Sequence, residues 1–370
     1  MKGSSDSSEL IAGHATPAGT RRFAKRFAST YSPEFYRQLA DGVSVSSIGM
    51  GTYLGDCDDA EDARYVTVLS AGVERGINLV DTAINYRCQR SERAVGRALQ
   101  KILGDGLARR DELLVATKGG YIPLDREPPT TRELYDSYLR SEYFDRGIMT
   151  PSDVVNGGHS IAPTFIANQI DRSLHNLGVA TIDIYYLHNP EQQCSALDAS
   201  KFRARLAEAF RELESHVERG TIRSYGCATW NGFRQPAEAP GHLNLEEIVG
   251  IAHETVGPSH HLRFVQLPIN LAMSEGVRSP TQTVGGKKVS LLEAAAELGV
   301  AVVASASLMQ SQLSRGLPTA LANAFPSLHT DAQRAIAFVR SLPLTSALVG
   351  MRSMNHLTEN LGAAAPAIAS

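Results

Sequence analysis

At 370 residues, with 43% hydrophobic and 20% charged side chains, the chain can bury a large core as one big domain or two smaller ones. A formal net charge of −3 gives no basis for nucleic-acid binding, and no apolar run reaches the roughly 18 residues a membrane span needs. Four cysteines (Cys57, Cys88, Cys194, Cys227) stand far apart with no C-x-x-C pair, which argues against a disulfide scaffold or zinc ribbon and makes a reducing cytoplasm the expected compartment.

Residues 1–40 are polar, Ser-rich and basic, and are expected to form a partly flexible arm, loosely ordered at least to residue 30. The basic run from Arg21 to Phe27 reads as part of a surface arm. A targeting peptide is disfavoured because Asp6 and Glu9 precede the run and no secretory apolar core is present. From residue 41 to 370 a repeating pattern takes over. Apolar runs that read as strands lie near 46–51, 78–83, 113–118, 182–187, 222–228, 263–269, 300–306 and 346–350. Amphipathic stretches separate them: Ala60 to Val73, Arg90 to Ile102, Thr164 to Leu177, Phe202 to Glu218 and Leu291 to Leu298. In the second of these, Ala94, Val95, Ala98, Leu99 and Ile102 fall on one stripe, the spacing of a helix packed on a sheet.

Eight strands alternating with helices predict an α/β fold, a (β/α)8 TIM barrel, with a doubly wound sheet as the other architecture. No G-x-G-x-x-G follows a predicted strand, which counts against the doubly wound dinucleotide-binding arrangement. One connection is too long to be simple. Residues 121–160, after the third strand, form an insertion at the barrel mouth. Its Arg126, Tyr135, Tyr138 and Arg140 either close over substrate, lie in solvent, or meet a second copy of the chain.

Three predicted strands end in ionisable residues. Asp81 ends the second, with Tyr86 five residues on; Lys118 ends the third and His188 the fourth. Such side chains are costly beside apolar strands unless partnered, so four of them at one end of a parallel sheet predict a shared site. A lysine ammonium favours the phenolate of a nearby tyrosine, and a carboxylate fixes that lysine's place and charge. A histidine beside the hydroxyl orients a carbonyl or relays a proton. The set is an acid–base device for a carbonyl or alcohol, with no strong nucleophile and no metal-ligand cluster; reduction would need a separate hydride source. His159, His175 and His216 have no such context and read as surface or packing residues. Taken one at a time, each of the four is more simply a cap, an ion-pair partner or a satisfied loop residue. Together they favour catalysis.

From Val43 to Thr52 the chain resembles the opening hairpin and first strand of the aldo-keto reductases. Gly72 to Ala83 is close to the signature that carries that family's catalytic aspartate, and the likeness extends over roughly residues 40 to 363. The resemblance implies that Tyr86 is the proton donor, that Lys118 and Asp81 tune it, and that His188 orients the substrate. It also implies NAD(P)H laid across the C-terminal face of the barrel. Cofactor positions would be Gly51, Thr52, Asp81, Ala228, Thr229, Gln266, Ser305, Leu308, Gln310, Gly350, Arg352, Glu359 and Asn360, with Tyr53, Tyr121 and Trp230 in the substrate pocket. Trp230 could equally cover the barrel rim.

Two departures stand out. Ala228 and Thr229 replace the family's usual Ser-Asn at strand five, and Ser305 replaces an aromatic that often stacks on the nicotinamide. Arg352 near a helix start favours NADP(H) over NAD(H). The expected function is interconversion of a small-molecule carbonyl (aldehyde, ketone or sugar) and an alcohol. Two alternatives stay open: a non-redox dehydration or epimerisation using tightly bound NAD(P), and a cofactor-sensing subunit with little turnover.

Overall fold

A computed structural model describes residues 10–125 and 127–364. Eight parallel strands close into a barrel. They are β1 (Ile48–Gly51), β2 (Leu79–Asp81), β3 (Leu114–Gly119), β4 (Ile182–His188), β5 (Ile222–Ala228), β6 (Leu262–Pro268), β7 (Ala301–Ser305) and β8 (Ser346–Gly350). β8 pairs with β1 through Val349 opposite Met50, which completes the ring. The helices α1 (Asp59–Glu74), α2 (Arg90–Gly104), α3 (Pro163–Leu177), α4 (Ala199–Glu218), α5 (Leu245–Val256), α6 (Leu291–Glu297), α7 (Asp331–Arg340) and α8 (Met354–Leu361) form the outer layer. Among the described residues no helix is long and apolar enough to cross a membrane.

The two-residue period of the strands sorts their side chains. Val80, Val115, Tyr185, Leu187, Cys227 and Val265 point outward into the apolar layer shared with the helices. Leu79, Leu114, Ala116, Ile184, Tyr186, Phe264, Val303 and Leu348 fill the barrel interior. Continuing each inward series one step toward the strand's C-terminal end reaches Asp81, Lys118, His188, Gln266 and Ser305. The uppermost interior layer is therefore polar because of sequence parity.

The opposite end of the barrel is closed. Val43 and Val45, in and beside a hairpin of Tyr36–Gln38 with Ser44–Ser46, pack beneath the interior layer. The arm expected to be loosely ordered to residue 30 carries a helix, Pro17–Arg26, capped by the Thr16 hydroxyl on the Gly19 amide. Its Phe23 is fully buried. Arg22 pairs with Asp111 and Glu112, and Arg26 with Glu112, so the basic run is docked on the body of the protein. The approach is close: a Cβ at Gly19 would lie 2.1 Å from the Asp111 carbonyl oxygen.

The insertion after β3 has its own small core of Ile122, Leu139, Tyr143, Met149, Ala162 and Phe165. It contains a helix, Arg132–Leu139, that widens into a π turn over Arg140–Phe144. The Tyr135 and Tyr138 hydroxyls donate to the carbonyls of Gly157 and Pro123, so both are spent on the insertion's own backbone. Arg126 lies outside the described residues.

Candidate active site

The polar top layer floors a cleft of about 460 Å³ at the C-terminal end of the barrel. That volume is in the range of small-molecule sites. At its base the Lys118 Nζ donates to Asp81 Oδ1 at 2.5 Å and to the Thr82 carbonyl at 2.8 Å. Gln266 Nε2 donates to the other Asp81 oxygen at 2.8 Å. Lys118 is 1% and Asp81 4% exposed, so this is a buried, hydrogen-bonded ion pair of the kind that costs several kcal/mol if one partner is lost.

Tyr86 is brought over this pair by the chain beyond β2. The Thr82 amide bonds the Ala116 carbonyl and the Ile84 amide the Lys118 carbonyl, extending the ladder past the strand's end. A turn through Asn85 then lays the Tyr86 ring above Lys118, whose Nζ is 5.0 Å from the ring centroid. Tyr86 meets the rings of Tyr53 and His188 edge to face, with centroids 5.0 and 5.8 Å away.

Burial pushes the Tyr86 phenol above its ordinary range, with Lys118 pulling the other way. Burial also works against the Lys118 ammonium, but Asp81 and Tyr86 outweigh it and hold the group above its usual value. His188 is driven well below the usual histidine range by burial, Lys118 and His159, so its imidazole is neutral at pH 7. Its Nδ1 has no hydrogen-bond partner among the described residues. The floor thus holds a protonated phenol, a fixed cation beneath it and a neutral imidazole beside it. That combination suits proton donation to an oxygen that gains charge.

The walls collect most of the other predicted positions. Gly51, Thr52 and Gly350 line one side, and a Cβ at Gly51 or Gly350 would meet nothing closer than 3.9 Å. Ala228, Thr229 and Gln266 line the second side; Ser305, Leu308 and Gln310 line the third. Among the described residues the Oγ atoms of Thr229 and Ser307 are buried without a partner, and so is the Oδ1 of Asn85. Such atoms, facing a wall left open by Gly51 and Gly350, fit a flat ligand bearing an amide. Tyr53, Tyr121 and Trp230 also line the cleft, and Trp230 is at its rim, 44% exposed.

Three predicted cofactor positions lie outside the cleft lining. Arg352, just before α8, makes a bidentate pair with Glu61 at 2.6 and 2.7 Å. Asn360 is buried within α8, and the Glu359 carbonyl accepts from Gln333.

Other residues at the site gave no signal in the sequence. His159 is buried directly under His188, its Nε2 2.7 Å from the His188 carbonyl oxygen and its Nδ1 2.8 Å from Gln193 Nε2. Burial lowers its pKa to about 4. Its ring packs edge-on against Tyr121, whose hydroxyl accepts from Asn189. Glu191 Oε1 accepts from three successive amides, those of Trp230, Asn231 and Gly232, and so pins the loop that carries the tryptophan. The other two histidines are remote: His175 is exposed on α3, and His216 is buried beside Thr221.

A family model described as the aldo/keto reductase family matches residues 47–368. The chain belongs to that family. Among characterised members it is similar to D-threo-aldose 1-dehydrogenase of Pseudomonas sp, 30% identical over 192 residues, 51% of this chain and 52% of the relative. It is also similar to the NADH-specific methylglyoxal reductase of Escherichia coli (strain K12), 27% identical, covering 50% of this chain and 49% of that one. The chain spans about half the length of the curated relatives it matches. A solved aldo/keto reductase from Klebsiella pneumoniae, in complex with NADP and acetate, shares the barrel fold. It has a TM-score of 0.58 and 21% identity, and the match covers 89% of each chain.

Proposed function

We propose that the protein interconverts a carbonyl and an alcohol with NAD(P)H, and that Tyr86 is the proton donor. The observation that carries this reading is the buried Asp81–Lys118 pair set beneath Tyr86, with neutral His188 at its edge, on the floor of an open cleft. A bound nicotinamide supplies or accepts the hydride.

The chain's own residues do the rest. Tyr86 stays protonated through neutral pH and gives its proton to the carbonyl oxygen. Lys118 stabilises the phenolate that remains, and Asp81 keeps Lys118 charged and in place. His188, neutral, offers the carbonyl oxygen a hydrogen bond and takes no proton itself. Gly51, Thr52, Thr229, Ser305, Leu308 and Gln310 would hold the nicotinamide half of the cofactor, Gly350 and Arg352 the adenosine end.

NADP(H) is the preferred form on this reading, because Arg352 is a bidentate donor suited to a 2′-phosphate. Its existing pair with Glu61 keeps the margin over NAD(H) modest. The substrate class is a small polar carbonyl of sugar size. Three rings, those of Tyr53, Tyr121 and Trp230, and the amides of Asn85 and Asn189 line the cleft. The similarity to an enzyme named for an aldose points the same way.

The test is absorbance-monitored oxidation of NADPH and of NADH against a panel of sugars, aldehydes and ketones. Net, substrate-dependent consumption with stoichiometric alcohol is expected. Product without consumption would instead point to dehydration or epimerisation, and tight cofactor binding with neither to a sensing role.

A further inference from the structure

The insertion after β3 carries near its end a histidine that the proposed chemistry does not use. The returning chain runs antiparallel to the segment that leaves β3. There the Ile122 amide donates to the Gly158 carbonyl at 2.9 Å, and the Ser160 amide donates to the Gly120 carbonyl at 2.8 Å. His159 lies between these two bonds, opposite Tyr121 and 1% exposed. Gly120 leaves room for it: a Cβ there would sit 2.8 Å from the His188 carbonyl oxygen and 3.0 Å from His159 Nε2.

On its β3 side, β4 runs out of ladder at this point. The two strands pair as far as Gly119 opposite Leu187, and the Gly120 amide then turns away to Gln169 Oε1 at 2.7 Å. One residue on, the His188 carbonyl meets His159 Nε2 at 2.7 Å instead. The other ring nitrogen fixes the direction of that bond. Gln193 Nε2 is 2.8 Å from His159 Nδ1 and 3.5 Å from the His159 carbonyl oxygen. A carbonyl only accepts, so the amide nitrogen of Gln193 belongs on that side, and Nδ1 takes one of its hydrogens. His159 is then the neutral Nε2–H tautomer and donates to His188.

His188 needs this support because little else locates its ring. Among the described residues its Nδ1 has no partner, and the imidazole is placed by its backbone and by the rings of Tyr86 and Tyr121. His159 acts on the backbone through the carbonyl. It also acts on Tyr121, because its ring meets that phenol edge-on at 5.0 Å and the phenol meets His188 edge-on at 5.0 Å.

We infer that His159 is a positioning residue, which holds the His188 imidazole in place by donating from Nε2 to the His188 backbone carbonyl. This role presupposes that the cleft reduces carbonyls with Tyr86 and His188 as proposed. A catalytic group displaced by about 1 Å can cost about 100-fold in rate, so the loss of a remote anchor should register in turnover.

Two variants separate the bond from the packing. His159→Phe keeps a ring against Tyr121 and loses the donor; His159→Gln places an amide donor at the reach of Nε2. With a carbonyl that the wild type reduces, His159→Phe should lower kcat by about 10–100-fold, with KM within about twofold and the NADPH Kd unchanged. His159→Gln should recover most of that loss. Long-range 1H–15N spectra of histidine-labelled wild type at pH 7 should show His159 as the neutral Nε2–H tautomer. The His188 ring signals should move in His159→Phe and stay near their wild-type positions in His159→Gln. Equal kcat losses in both variants, tracking a lowered melting temperature, would reduce His159 to a packing residue and overturn the inference. So would wild-type kcat in His159→Phe, or a charged or Nδ1–H ring at His159. Should His159→Phe not fold, His159→Asn, too short to reach the carbonyl, takes its place. If the wild type reduces no carbonyl at all, the proposed function fails, and the His188 signals still decide whether His159 holds that ring.

Discussion

The floor of the cleft and its walls are built by different rules. Asp81, Lys118 and His188 stand at the ends of β2, β3 and β4, where strand parity and buried pairing leave each side chain one place to go. The walls after β5, β7 and β8 use small residues (Ala228, Ser305, Ser307, Gly350), unpartnered hydroxyls and a half-exposed tryptophan. On the proposed reading the floor does the chemistry and the walls bind the ligand. Substitutions in the floor should therefore cost rate and stability, and substitutions in the walls should cost binding.

The largest separation should come from Asp81 and Lys118. Asp81→Ala strands a buried ammonium, so the unfolding free energy should drop by about 3–5 kcal/mol in denaturant melts. Lys118→Met should lower kcat by at least about 100-fold while cofactor affinity changes little. It should also move the alkaline limb of the rate profile upward, because the one group that draws the Tyr86 phenol down against burial is gone. A wild-type reduction rate already falling near pH 7 would contradict the assignment of a raised, protonated Tyr86.

The histidines extend the comparison to pH stability. Burial holds His159 and His216 at about 4 in the folded chain, against an ordinary value of 6.5. Below 6.5 the unfolded chain binds protons that the folded chain refuses. Stability should be level above pH 6.5 and fall as pH drops from 6.5 toward 4, by up to about 1.4 kcal/mol per pH unit for each group. His159→Gln should flatten that fall in thermal melts at graded pH.

The walls, and Arg352 beyond them, should respond less, and in KM or Kd. Arg352→Ala should weaken NADPH binding by about tenfold, the worth of one lost charge-assisted contact, and leave NADH nearly unchanged by fluorescence titration. Trp230→Ala should raise the substrate KM a few-fold, roughly the 1 kcal/mol of a rim aromatic, with kcat kept. Equal losses for both cofactors, or a collapse in kcat from Trp230→Ala, would erase the distinction between floor and walls.

Much of the floor was legible in the sequence because its signals are local. Apolar runs marked the eight strands, and in the structure Asp81, Lys118 and His188 each fall at the next inward position. Tyr86 was singled out by its place five residues after Asp81, but nothing in a loop sequence shows that the chain beyond β2 lays its ring over Lys118. The remaining features depend on long-range partners. Arg352 and Glu61 are 291 positions apart, so their pairing could not be foreseen. His159 reaches His188 only because the insertion after β3 folds back on a core of its own. The arm's helix reads as loose polar chain until its arginines find Asp111 and Glu112.

The central claim is that the polar top layer of the barrel is a proton-delivery device with Tyr86 as donor. Its most direct test is Tyr86→Phe, assayed beside the wild type with the same carbonyl substrate and by NADPH fluorescence titration. Turnover should fall by about 10²–10⁴-fold with the cofactor Kd unchanged. Full turnover in that variant, with cofactor bound as tightly as before, would contradict the claim.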